Sequence, residues 1–182
     1  MTERFVRRLV GAAKLDSATF DEVEADRTAT PQALAVVVFS SLAAAIGARG
    51  ASGGAATLAF FLTSTAIVLM LWAAFALLTF EVGARILPTK ETHVNMGELL
   101  RTLGFAAAPG LIQVFGIVPG AKVPVFTVAI TLALAASVIA VRESLKYHST
   151  GRALAVCTLG LLLSMAIAIT LGLLFGPSLS GS

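Results

Sequence analysis

Charge is what this chain has least of. Asp, Glu, Lys and Arg make up 13% of its 182 residues, against about 25% in a soluble domain. So few charges cannot cover a water-facing surface of this size, and the natural solvent for the excess apolar surface is lipid. Cysteine occurs once, at Cys157, which excludes an intramolecular disulfide and leaves the redox compartment open. The two histidines, His93 and His148, have Glu91 nearby but no metal-ligand spacing. A phosphate loop, a nucleophile elbow and a metalloprotease helix motif are all missing, so neither an enzyme nor a cofactor or metal is expected. Gly50-Ala51-Ser52-Gly53-Gly54 is glycine-rich but has no lysine after it, and reads as a turn. No short basic stretch leads straight into an apolar run at the start, so a signal peptide is not expected either.

What the chain has is apolar length. Hydrophobic residues reach 57% and the mean hydropathy is +0.92. A helix needs about 20 mostly apolar residues to cross the hydrocarbon core. Five runs approach or exceed that: Pro31–Ala48, Ala55–Phe80, Leu99–Val118, Pro124–Val141 and Ala153–Phe175. None alternates with period two, which excludes a barrel. The expected fold is therefore all-α, a polytopic transmembrane bundle of about five spans over residues 31–176. A cytoplasmic segment, 1–30, precedes it, and a short outer tail, 177–182, follows. Thr28 or Thr30 is the expected cap of the first span, and Ser149 or Thr150 that of the fifth. The third run is the weakest, with Arg101 at its start and Pro109-Gly110 in its middle. Proline there frees the carbonyl of Phe105, so the span is expected to be kinked near Phe105–Pro109 and buried. Thr63, Ser64 and Thr65 of the second span are the expected hydroxyl partners. A re-entrant loop is the alternative.

The basic residues sit between the apolar runs, which argues against a nucleic-acid partner despite a net charge of +3 and a pI near 9.5. Arg4, Arg7, Arg8, Lys14, Arg27, Arg85, Lys90, Arg101, Arg142, Lys146 and Arg152 fall on one side of a five-span chain, and only Arg49 and Lys122 on the other. Lys and Arg gather in cytoplasmic loops, so the N-terminus is expected inside and the C-terminus outside. All ten acidic residues also lie on the inner side.

Residues 3–14 place Phe5, Val6, Leu9 and Val10 on one helical face and Arg4, Arg7, Arg8 and Lys14 around the rest. This suits an amphipathic interfacial helix on an anionic inner leaflet. The acidic stretch from Asp16 to Asp26 is expected to form a short helix folded back on that face. Small residues recur at four-residue spacing: Gly160, Ser164, Ala168 and Gly172 in the fifth span, Ala129, Ala133 and Ser137 in the fourth, and Gly104, Ala108 and Gly116 in the third. Such stripes are packing faces in lipid, and they leave room for a homo-oligomer. Glu81 and Arg85, four apart, with Arg101 nearby, read as an interfacial ion pair rather than a site.

Three stretches carry a family likeness. They are Leu15–Asp26; Leu103-Gly104-Phe105-Ala106-Ala107-Ala108-Pro109-Gly110 leading to Ile117-Val118-Pro119-Gly120; and Ala140–Ala153, which contains Arg142, Tyr147 and Arg152. Together they resemble the bacterial branch of the Yip domain family of small polytopic membrane proteins. The resemblance implies five spans, a cytoplasmic N-terminus and a bacterial inner-membrane scaffold. Eukaryotic relatives act in vesicle traffic and associate with Rab-type GTPases; this chain lacks their long cytoplasmic N-terminal region and a bacterium lacks their transport system, so that role is not carried over. The expected function is a non-enzymatic membrane scaffold that binds an unidentified membrane or cytoplasmic protein at its inner face. The candidate structural or partner-contact residues are Glu81, Arg85, Arg101, Pro109, Arg142, Tyr147 and Arg152. The alternative is a small transporter or channel using the broken third span around Pro109.

Overall fold

The computed structural model describes residues 2–49, 58–88 and 94–175. Seven α-helices make up most of them: α1 (Thr2–Ala13), α2 (Ser17–Ala25), α3 (Thr30–Arg49), α4 (Leu58–Phe80), α5 (Met96–Ala106), α6 (Lys122–Ser144) and α7 (Thr150–Phe175). Five helical stretches are long and apolar enough to cross a membrane, so the chain is an all-helical, five-span integral membrane protein with a two-helix N-terminal segment. Arg27–Arg49, Phe60–Ile86, Met96–Ile117, Lys122–Ser144 and Thr150–Ile167 are the spans. The expected turn at 50–54, His93 with its neighbours, and the tail 177–182 lie outside the described residues.

The helix starts differ from the expected ones. A short 3-10 turn, Arg27–Ala29, precedes α3, and Asp26 rather than Thr28 or Thr30 supplies the capping oxygen, accepting from the Thr28 N–H. α5 begins three residues before Leu99 because Asn95 and Glu98 form a reciprocal capping box, each side chain accepting from the other's backbone N–H. α4 does not stop at Phe80. It continues as a π-helical turn over Glu81–Ile86, closed by the Leu87 N–H on the Val82 carbonyl.

The spans form a ring. The third lies between α3 and α6, α6 packs on α7, α7 on α4, and α4 returns to α3. Burial sorts them. Half of the third span's most apolar window is buried, against 6% for α4. The third span is thus the inner wall, as its small side chains suggest, and α4 is the lipid-facing one.

Proline 109 does more than delete one bond. The α-helix ends at Ala106, and Ala108–Ile117 runs on as ten residues of 3-10 helix. This span follows α3 along its length: Gly104 lies against Ala33, Gly110 against Ser40, and Gly116 against Gly47. It crosses fully, so the re-entrant alternative is not what the chain adopts. The Phe105 carbonyl is met by the Ala107 N–H, and Ser40 of α3 donates at 2.8 Å to the Ala107 carbonyl, which also takes the Gly110 N–H. The expected donors in α4 do not serve it; Thr65 Oγ1 is buried without a partner.

One end of the ring gathers the N-terminal helices, the turn after α4, the start of α5 and the turn between α6 and α7. At the other end, the Lys122 ammonium donates to the Ala48 carbonyl. The charges therefore separate by end, as the alternation along the sequence requires.

Candidate functional site: a charged platform at one end of the bundle

α1 and α2 form a helical hairpin. α1 ends in a Schellman turn, with the Asp16 N–H on Gly11 and the Leu15 N–H on Ala12, and Leu15 in the left-handed region at φ 64°. Thr19 of α2 sits directly against Gly11, where a Cβ would collide with its hydroxyl. The hairpin is locked by Arg8, 2% exposed, which donates to Glu22 at 3.0 Å, Asp26 at 2.7 Å and Gln32 at 3.2 Å. A buried guanidinium persists only when its donors are met this fully. Burial opposes the charge on Arg8, but the bonds to Asp26 and Glu22 outweigh it and hold its pKa above the ordinary value. Asp26 is held well below the usual carboxylate range, chiefly by the Thr28 hydroxyl and then by Arg8.

This splits the expected apolar face of α1. Phe5 and Leu9 pack on the core and Ala12 is fully buried, while Val6 and Val10 stay 48% and 44% exposed. Arg8, expected on the solvated side, points inward instead, because α2 brings carboxylates to meet it.

α2 is then tied to the bundle. Phe20 and Val23 are fully buried. Arg101 does not join Glu81 and Arg85. It lies 5% exposed beneath α2 and donates to the carbonyls of Val23 and Glu24. Those are last-turn carbonyls with no partner inside the helix, at the negative end of its dipole. Arg101 is thus a C-terminal cap for α2 supplied by the third span. Lys146 adds ion pairs to Asp21 at 3.2 Å and Glu24 at 3.0 Å. Burial raises the Glu24 carboxyl, Lys146 opposes, and the net shift is upward. For Lys146, burial lowers the ammonium and the bond to Glu24 more than restores it. Asp21, Glu24, Arg27, Glu98, Arg101 and Lys146 line a polar cavity of about 340 Å³ here.

The turn after α6 repeats the device of α1. The Tyr147 N–H bonds to Arg142 and the Lys146 N–H to Glu143, with Lys146 left-handed at φ 52°. Tyr147, 4% exposed, has its hydroxyl 2.9 Å from the carbonyls of both Gly83 and Leu87. It thereby meets backbone left open where the π turn ends α4. Its ring carries the Arg152 guanidinium 5.7 Å from its centroid. Arg142 pairs with its neighbour Glu143. Glu81 and Arg85 form the expected pair at 2.9 Å, with Arg85 69% exposed. Thr102 and Ser144 share a buried hydroxyl contact at 2.8 Å that joins the third and fourth spans.

A second cavity, about 440 Å³, lies inside the ring beside the break at Ala107–Gly110. Its lining carries no ionisable side chain.

Of the seven residues singled out by sequence, Arg101, Arg142, Tyr147 and Arg152 come together around α2 and the α6–α7 turn. Glu81 and Arg85 stand apart on the π turn, and Pro109 lies deep in the ring. Sequence reasoning missed Arg8 and Lys146, whose signal was a set of cations opposite the acidic stretch 16–26. Compared with family models, curated proteins and solved structures, the chain finds no match.

Proposed function

We propose that this chain is a non-enzymatic membrane scaffold of Yip type, set in a bacterial plasma membrane, that binds a protein partner through its cytoplasmic face. The observation that carries the reading is the platform itself. Arg8, Arg101, Lys146 and Tyr147, with Arg7 paired to Glu22, are spent on holding α1, α2 and the turns in one surface, while Arg4, Lys14, Arg85 and Arg152 remain at its exposed rim. The cation count supports a cytoplasmic side for that surface and the N-terminus, with the C-terminus outside. Val6 and Val10, flanked by Arg7 and Lys14 on the outward face of α1, suit contact with an anionic inner leaflet.

The test is recovery of the tagged full chain in mild detergent, with the co-purifying protein identified. Reversing rim charge with Arg85→Glu and Arg152→Glu should release that protein, and Lys122→Glu at the other end should not. Release by Lys122→Glu alone would refute the assignment. For orientation, Glu3→Cys and Val118→Cys are placed singly in a Cys157→Ser background. An impermeant maleimide should label Val118→Cys in intact cells and Glu3→Cys only after the membrane is opened.

The transporter reading rests on the inner cavity beside Gly110. Proton or cation coupling needs an ionisable or strongly polar lining, and these walls are mainly aliphatic and aromatic, which favours the scaffold.

A further inference from the structure

The inner cavity has a form that the scaffold reading leaves unused. Its walls come from all five spans: Val37 to Ala44 of α3, Val68 to Phe75 of α4, Leu103 to Gln113 of the third span, Ala129 to Ser137 of α6, and Leu161 of α7. At about 1.5 Å per residue, the α3, α4 and α6 walls each run about 10–12 Å along the helix direction. The cavity is therefore elongated parallel to the spans. At about 440 Å³ it falls in the ordinary range of small-molecule sites, about 300–1,000 Å³.

It also has a side door. Val68 and Leu71 of α4 line it and keep 37% and 41% of their surface exposed; Ile130 and Leu134 of α6 line it and keep 51% and 45%. These half-exposed wall residues leave the cavity open sideways at mid-span depth, where the surroundings are hydrocarbon. The hydroxyls in the wall are already engaged: Ser40 donates to Ala107, Ser41 to Val38 and Ser137 to Ala133. The carboxamide of Gln113 is the polar group at the end nearer Gly47.

We propose that this cavity is a binding site for one acyl chain of a membrane lipid, entering from the side at mid-span depth and lying parallel to the spans. An uncharged, elongated, laterally open site at this depth meets lipid chains before any other ligand; its hydroxyls are engaged, and the Trp72 indole N–H is the buried donor left without a partner in its wall. The proposal is independent of the inner-face partner.

Trp72, the chain's one tryptophan, lines the cavity, so its fluorescence reports the occupant. The full chain is reconstituted in phosphatidylcholine vesicles containing an increasing fraction of chain-brominated phosphatidylcholine. Trp72 should be quenched, and Ala133→Phe, which fills the wall opposite, should reduce that quenching at least twofold. A lipid-facing reference, Leu62→Trp in a Trp72→Phe background, should be quenched equally with and without Ala133→Phe. Ala44→Leu repeats the test from α3 if Ala133→Phe does not fold. Equal quenching of Trp72 in wild type and filled variants would mean that bulk lipid reaches the ring without the cavity. Quenching of Trp72 by aqueous iodide instead would mean that water fills it. Either result overturns the proposal.

Discussion

Gly47→Ala is the smallest change that tests the architecture. Gly47 lies where α3 crosses the third span. A Cβ there would collide with the carbonyl oxygen of Gln113, and would stand 2.9 Å from its carbonyl carbon and 3.1 Å from the Phe126 ring. Ordinary carbon contacts are about 3.5–4.0 Å, and the Gln113 oxygen is the nearest obstacle, so the two backbones must part by about 1.5 Å or more. The obstacle is backbone held in a helix, not the flexible end of a side chain, so it cannot swing away. Overpacking of this kind costs about 1–3 kcal/mol, and an unyielding neighbour places Gly47→Ala at the upper end. At about 2–4 °C per kcal/mol for a chain this long, the unfolding midpoint should fall by about 5–12 °C. Cys157, 6% exposed and the chain's one thiol, supplies the readout: a thiol-reactive fluorophore lights up as the bundle opens on heating. Gly110→Ala is the control, since its Cβ would meet side chains rather than backbone, Ser40 at 3.1 Å and Gln113 at 3.9 Å. If Gly47→Ala melted like wild type, or if Gly110→Ala were the worse of the two, α3 and the third span would not be packed in this register.

The same thiol assay checks two further expectations, and amide exchange a third. Tyr147→Phe strips a hydroxyl from the buried carbonyls of Gly83 and Leu87 and should cost about 1–2 kcal/mol; an unchanged midpoint would remove Tyr147 as the tie between α4 and the α6–α7 turn. Gly160→Leu, aimed at Thr79 and Phe75 of α4, should be markedly more damaging than Leu162→Ala, whose side chain is 58% exposed; the reverse order would exchange the packed and lipid faces of α7. Asp26 has its folded pKa depressed below the ordinary 3.8, so its stabilisation is present above about pH 4 and lost as pH falls further. Amide exchange in α1 should be protected and flat from pH 5 to 8, after correction for intrinsic rates, and rise in Asp26→Asn at every pH; unaltered protection in Asp26→Asn would show that Arg8 does not need it.

Hydropathy and charge alternation made the five spans legible, because both reflect how the whole chain partitions between lipid and water. The end-to-end separation of charge followed for the same reason. Less legible was anything depending on which cation meets which acceptor. Arg101 resembled a companion of Glu81 and Arg85 because sequence gives depth along a span but not the direction around it. α2 lies on the other side and takes the guanidinium as its cap. Arg8 read as a solvated residue of an amphipathic helix because its partners, Glu22 and Asp26, come from α2 across a tight turn. That turn was partly readable, since Gly11 is where α1 must admit Thr19. The left-handed residues are Leu15 and Lys146 rather than glycine or asparagine, so the usual signature of the turn was missing.

The third span shows why a correct motif can still yield the wrong face. Read with α-helical spacing, Gly104, Ala108 and Gly116 form its small stripe. In an α-helix, six residues turn the chain by about 600°, which sets Gly116 about 120° away from Gly110. In a 3-10 helix, six residues make two full turns, and Gly110, Gln113 and Gly116 share one face. α3 presents Ala33, Ser40 and Gly47 at seven-residue steps, about two α-helical turns each, so two turns of one helix answer two turns of the other. The longer rise, about 2.0 Å against 1.5 Å per residue, also stretches Ala108–Ile117 by about 5 Å, enough for a short span to reach the far end. Ten residues of 3-10 helix are more than local preference sustains, so the contact with α3, rather than Pro109, is what holds the conformation. Pro109→Ala should then lower the unfolding midpoint only slightly. Gly116→Val, which drives a branched side chain into Gly47 and the Phe126 ring, should lower it by several degrees. If Pro109→Ala proved the more damaging, the proline itself would be imposing the 3-10 geometry, and the register with α3 would be its consequence rather than its cause.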